Sequence, residues 1–187
     1  WSAALADAGR WLGRDRWTER AADALDALLE TAGTHGTLAH YVDTDDEPET
    51  GLLVDLLHTA RAAAAVARAA DREDAAEHAM RLVGVMKETL WDEAGGFIDH
   101  APGPRPIGPL RYPDRPFEEN ALAARLLVHL ARKTGDRSYR AVAERVLAYL
   151  APYAGRYAVE GASFAMAVEE FFQLHGIPTG PVLLLRD

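Results

Sequence analysis

Apolar residues recur at helical spacing along most of this chain, and the connections between the helical stretches alternate between tight and long. The tight connections fall at 13–15, 69–71 and 135–136, and the long ones at 32–49 and 91–117. An array of helical hairpins with its long loops gathered on one rim gives this alternation, and it dictates which end can carry function.

The first helix is expected over 1–13, with Leu5, Ala8 and Leu12 on one face and Gly13 as its stop. Asp15 is the expected cap of a second helix over 16–31, with Trp17, Ala21, Leu25, Leu28 and Leu29 inward. A third spans about 49–69, on the spacing of Leu52, Leu53, Leu56, Leu57, Ala60, Ala64 and Ala67. Asp71 is the expected cap of a fourth that runs to Leu90. Leu122, Leu126, Leu127 and Leu130 mark a fifth over 117–134, ended by Gly135. Asp136 is the expected cap of a sixth over 137–152. A seventh covers about 158–175, and PTGPVLLLRD reads as a short C-terminal strand after a Pro/Gly turn. The hairpins are therefore about 1–31, 49–90 and 117–152, plus the last helix, in one domain over 1–187.

An internal repeat underlies this order. LGRDRWTERAADAL, AADREDAAEHAMRL and TGDRSYRAVAERVL each place an Asp near the start of an Ala/Leu-spaced helix, at positions about 60 residues apart. Common helical solenoid repeats are shorter, at roughly 34–47 residues.

The stretch from Trp91 to Asn120 is the longest that cannot be helix, because prolines and glycines break any regular pattern. It also holds Trp91, Phe97, Ile98, Leu110, Tyr112 and Phe117, anchors that a disordered linker does not need. An ordered loop is expected.

Composition excludes several functions. Lys plus Arg number 20 against 29 Asp plus Glu, a formal net charge of -9, so no basic stripe exists for nucleic acid. Cys is absent, which removes disulfides and thiolate metal sites and fits a reducing cytoplasm, the expected location. No apolar run reaches the roughly 20 residues that span a bilayer. The start, WSAALADAGRW, lacks a basic leader before an apolar segment and reads as mid-helix, so a piece of a longer protein is expected. No His pair at i, i+4 and no HExxH occurs, so no metal is expected. Neither a phosphate-binding glycine fingerprint nor an acyl-transfer nucleophile motif is present, and no cofactor is expected.

What remains is paired carboxylates and aromatics near the long loops. Glycoside chemistry uses one protonated acid and one base or nucleophile, roughly 5–9.5 Å apart. Asp55, Asp114, Glu118 and Glu119 are the candidate catalytic acids. Acids in a first helical turn also complement the macrodipole, an alternative that stands for Glu118, Glu119 and the DTDDEPE run. With the third helix starting near 49, Asp55 lies too far inside to cap it, and faces a cavity or pairs with Arg61 or Arg105. Tyr41, His40, Trp91, Tyr112 and Asn120 are the candidate ligand-binding residues. Aromatic rings suit a polyhydroxy ligand with apolar faces, or else pin the loops down. His40 and His100 are the loop histidines that suit acid/base work.

The order of these signals resembles the C-terminal helical region of the thioredoxin-domain proteins related to spermatogenesis-associated protein 20. The resemblance rests on Trp1 and Leu5, on Gly51, Leu53 and Asp55 within GLLVDLL, and on Trp91-Asp92 followed by Gly95-Gly96-Phe97 and Asp99. It continues through Asp114, Pro116 and Asn120, then Gly135-Asp136 with Tyr139 and Ala143-Glu144, and the terminal PVLLLRD. Sugar 2-epimerase relatives share the Trp-Asp…Gly-Gly-Phe look. The resemblance implies an all-α fold, an α/α toroid of the six-hairpin glycosidase-like kind, of which this chain makes about half the ring with one short C-terminal strand. It departs at Ser2, Val54, Leu56 and Phe117-Glu118-Glu119, all at polar cavity positions.

Two functions follow as expectations. One is a carbohydrate-active or carbohydrate-binding module, glycoside hydrolase or sugar epimerase-like, within a thioredoxin-domain protein. The other is a non-catalytic helical scaffold or interaction domain. A sugar-like ligand, and either the rest of the same barrel or a second copy, are the expected partners, with neither nucleic acid nor membrane.

Overall fold

The computed structural model describes residues 1–34, 37–41, 49–101 and 112–174. The expected C-terminal strand, the acidic run over 43–48 and the proline-rich run over 102–111 lie outside the described residues. The chain forms two compact units, one from Trp1–Leu90 with Asp99–Pro113, the other from Trp91–Ile98 with Asp114–Asp187.

In the first unit α1 (Ser2–Leu12) and α2 (Asp15–Ala32) form a hairpin, followed by the two-residue strands β1 (Gly33–Thr34) and β2 (Thr37–Leu38), and then by α3 (Leu53–Ala70) and α4 (Glu73–Thr89). The β1–β2 pair is antiparallel, and a single bridge joins Ala39 to Thr50. Packing centres on α3, which meets α1, α2 and α4. Its run Ala62–Val66 is buried nearly all round, as a helix enclosed by others must be. Leu25, Leu53, Leu56, Leu57, Leu82, Met86 and Leu90 fill the core around it.

The face expected for α1 is corrected. Ala6 and Gly9 are its buried residues, and Leu12 is 63% exposed. Small residues form this contact because the helices pass closely. A Cβ on Gly9 would stand 2.5 Å from Thr18 Oγ1 and 2.9 Å from the Thr18 nitrogen. Trp17 is likewise 41% exposed rather than inward, because it and Leu12 flank the Gly13 turn, where the hairpin ends.

The tight turns also differ from expectation. Asp15 is the first residue of α2 rather than its cap, and Asp71 closes α3 instead of opening α4. Gly13, Asp71 and Gly135 all take the left-handed conformation, at φ 61°, 52° and 73°, each two residues before the next helix begins. The repeat is therefore one of left-handed stops. Among the described residues, only Asp136 accepts an N-cap hydrogen bond, from the Ser138 N–H at 2.8 Å.

In the second unit β3 (Trp91–Asp92) and β4 (Gly96–Phe97) form an antiparallel hairpin, followed by α5 (Phe117–Thr134), α6 (Arg137–Leu150), two 3-10 turns (Ala151–Arg156 and Ala158–Gly161) and α7 (Ala162–Gln173). The sixth and seventh helices are shorter than expected, because the 3-10 turns take up 151–161. Burial centres on α5, which packs on α6 and α7. Arg125 on α5 forks onto Glu170 of α7 at 2.7–3.1 Å.

The described part of the long loop is held by side chains. Asp92 accepts from the Ala94 N–H at 2.7 Å and pairs with Arg115 at 2.6 Å. The Ala94 contact, then the Arg115 hydrogen bond, hold its carboxyl below the usual range. Gly95 turns the chain at φ 112°, a conformation that favours glycine. A Cβ on Gly96 would stand 3.1 Å from Asn120 Oδ1. Phe97 is fully buried behind Trp91, whose ring meets it edge-on at 5.3 Å.

Candidate functional site

A cleft of about 340 Å³ opens in the first unit, lined by α1, α2 and α3 and by the segment after β2. Local structure fixes that segment. The Ala39 N–H donates to Ala32 O at 2.9 Å, and the His40 N–H donates to Glu49 O at 2.8 Å. The imidazole of His40 thereby reaches Asp55, with Nδ1 2.9 Å from Oδ2. An ionised carboxylate only accepts, so the hydrogen in this contact sits on Nδ1, and the His40 side chain is 42% exposed. Tyr41 stacks edge-on against the same ring at 5.4 Å.

Asp55 does lie in a first helical turn, because α3 starts at Leu53 and not at 49. Its acid complements the helix dipole, but its side chain bonds His40 rather than capping the helix or pairing with Arg61. Arg61 donates instead to His58 Nδ1 at 3.2 Å. A guanidinium cannot accept, so the His58 proton sits on Nε2. His58 lines the same cleft, as do Val54 and the buried Thr59. The Leu53 N–H donates to Asp99 O at 2.9 Å, which brings a second pair, His100 with Asp99 at 2.9 Å, to this end of α3.

His40, Tyr41 and Asp55 are thus brought together. The other candidates each have local settings. Tyr112 is 80% exposed. In the second unit, Asp114 accepts from the Arg115 N–H at 2.8 Å, and Glu118 accepts from Ser163 Oγ at 2.6 Å. Glu118 and Glu119 occupy the first turn of α5, where the dipole favours acids. Trp91 lies under the Arg145 guanidinium at 4.8 Å. Asn120 is fully buried, and its amide is wholly engaged by backbone groups of Phe97 and Pro116. That corrects its expected role as a ligand contact: no donor or acceptor faces a ligand.

Sequence reasoning missed the His40–Asp55 pairing, because 15 residues and a chain reversal separate the two. Leu38, Tyr41 and Val42 read in the sequence as a short extended piece, and Leu38, two residues before His40, is buried. No group of His, Asp or Glu among the described residues has metal-site geometry. No helix among them is long and apolar enough to cross a membrane.

No family model and no curated protein matches the chain. Among solved structures, it is similar to a family 76 glycoside hydrolase from a bovine Bacteroides thetaiotaomicron strain, with TM-score 0.73 and 14% identity over 95% of this chain. The match covers 42% of that chain, so the sequence spans less than half its length. The likeness establishes the fold as all-α, of the α/α-toroid class, in agreement with the expectation from sequence.

Proposed function

We propose that the chain is a carbohydrate-active or carbohydrate-binding module of an α/α barrel, with its ligand site in the cleft that holds His40 and Asp55. The observation that carries this reading is the dyad itself, in a cleft of ligand size beside the exposed ring of Tyr41. An ionisable pair gives polar recognition, and an aromatic ring supplies a face for the apolar side of a sugar. The solved structure that shares the fold is a glycoside hydrolase, which supports the same class. Crystals soaked in monosaccharides and cellobiose test the reading: sugar density against His40 and Asp55 is expected, and an empty cleft at saturating sugar overturns it.

A non-catalytic scaffold is the second reading. Val54 places an apolar, part-exposed side chain in the cleft where the resembled family carries Glu, and Leu56 is fully buried where that family carries Tyr. On this reading the chain associates with the remaining hairpins of its barrel or with a second copy. Trp1 at the start of α1 and Trp11 on it, 76% and 79% exposed, are the surface for it. We also place the chain within a cytoplasmic thioredoxin-domain protein, on the motifs quoted above; a thioredoxin-like domain encoded upstream of Trp1 is the expected finding.

A further inference from the structure

We propose that α1 pairs with α1 of a second copy of this chain, antiparallel and about a twofold axis. The contact is the stripe formed by Trp1, at the start of the helix, with Ala4, Leu5, Ala8, Trp11 and Leu12. This rests on the reading of the chain as an associating helical module, and it names the partner and the register.

The stripe contains the face that helical spacing predicts for α1, and the fold leaves it open. α1 meets α2 and α3, and its buried residues are Ala6 and Gly9. Trp1, Ala4, Trp11 and Leu12 are exposed, and Leu5 and Ala8 are half-buried. Steps of three, four and seven residues set all six on one side of the helix. None of them is charged, and Asp7, the one acid of α1, is held by Arg68 of α3. A contiguous apolar side without a neighbour is an interaction surface.

The order of residues along the stripe selects a second copy as its occupant. Trp1 and Trp11 lie five residues either side of position 6, and Ala4 and Ala8 lie two residues either side of it. A twofold interface sets one patch against itself, so that residue i meets j where j meets i. An antiparallel pair centred at position 6 therefore places each Trp1 against the other copy's Trp11, and each Ala4 against the other copy's Ala8. Small residues at the crossing let the helices approach, and the indole rings close both ends. A further hairpin of the same barrel requires no such symmetry. The size also fits. At about 150–250 Å² for each aromatic side chain, four rings and the leucines beside them bury on the order of 1,000 Å², which suits a reversible interface rather than a permanent one. Trp1 also lines the cleft that holds His40, so the pairing brings the second copy's Trp11 to the edge of that cleft.

Sedimentation equilibrium of the full chain tests this. Reversible dimers, half-associated in the micromolar range, are expected. Ala4→Glu, at an exposed position, puts a carboxylate at the apolar crossing. It is expected to weaken dimerisation on the order of 100-fold, with helix content by circular dichroism unchanged. Because the chain has no Cys, disulfide formation reads the register. An equimolar mixture of Ala4→Cys and Ala8→Cys is expected to cross-link several times faster than either variant alone, since only the mixture brings two thiols together across the axis. Equal rates for Ala4→Cys alone and for the mixture overturn the antiparallel register. A dimer unaffected by Ala4→Glu overturns the stripe as the contact, while the reading of the chain as an associating module stands. A monomer at every concentration overturns the pairing and leaves that reading to the remaining hairpins of the barrel.

Discussion

The side-chain amide of Asn120 closes both backbone hydrogen bonds of Phe97: Oδ1 accepts from its N–H at 2.7 Å, and Nδ2 donates to its carbonyl at 2.9 Å. A third bond, from Nδ2 to Pro116 O at 2.9 Å, ties the start of α5 to the same amide. One residue thus does for the β3–β4 hairpin what a third strand would do. Asn120→Leu leaves buried backbone groups without partners, and is expected to cost about 2–4 kcal/mol. Asn120→Asp keeps an acceptor but faces two carbonyls with a buried carboxylate, and is expected to cost at least as much. Urea unfolding checks both; a loss under 1 kcal/mol would remove the amide from its structural role.

The close pass of α1 over α2 makes Gly9→Ala a test of packing. Its Cβ would fall 2.5 Å from Thr18 Oγ1, closer than real contacts allow. A loss of about 1–3 kcal/mol is expected, as for overpacking generally. Adding Thr18→Ala should restore only part of it, because the Thr18 nitrogen and the Arg14 carbonyl also lie within 3.1 Å. Full restoration in the double variant would put the whole clash on the hydroxyl.

Asp71 is held at φ 52°, where Gly13 and Gly135 stand at the matching turns. Left-handed conformations cost a side-chain-bearing residue roughly 1 kcal/mol. Asp71→Gly is therefore expected to raise stability by about 0.5–1 kcal/mol, and Asp71→Val to lower it. Thermal melting decides, and equal midpoints for the three proteins would contradict the argument.

Arg72 donates to Asp74 and also to Asp26, the latter at 2.7 Å. The Arg72 hydrogen bond, more than any other contact, lowers the Asp74 carboxyl to about 2. A depressed carboxyl stabilises the fold above its unfolded pKa, and that contribution fades as pH falls through the folded value. For Asp74 the window runs from roughly pH 4 down to about 2. NMR titration of the Asp74 carboxyl should show this low midpoint, and Arg72→Ala should return it to the ordinary carboxylate range. An unchanged midpoint in that variant would exclude the guanidinium as the cause.

The helices were largely legible because their causes are local. Leu/Ala spacing marks α3 and α5 within a few residues of their true ends, and Gly13 and Gly135 stop α1 and α5 where expected. The errors arose where a local rule had two solutions. Asp is a good N-cap, but it also tolerates the left-handed stop, and at position 71 the neighbouring Arg72, paired with Asp26 and Asp74, stands at the cap. Apolar size suggested Leu5, Ala8 and Leu12 for the α1 contact, but the distance between the helices selected Ala6 and Gly9.

By itself, then, the sequence determined an all-α chain of hairpins and the positions of its tight turns, and it pointed to an ordered loop over Trp91–Asn120, of which 91–101 and 112–120 are described. Each depends on residues within a turn or two of one another. Tertiary structure decided the rest. It joined His40 to Asp55, and it turned Asn120 from a candidate ligand contact into the lock on Phe97. Both pairs span long connections, and spacing along the chain carries no information about which side chains meet once the backbone has folded back. The stretch at Trp91 drew attention for its prolines and aromatics, yet its described part is a hairpin fixed by a buried amide. The dyad that best suits chemistry lies in the other unit.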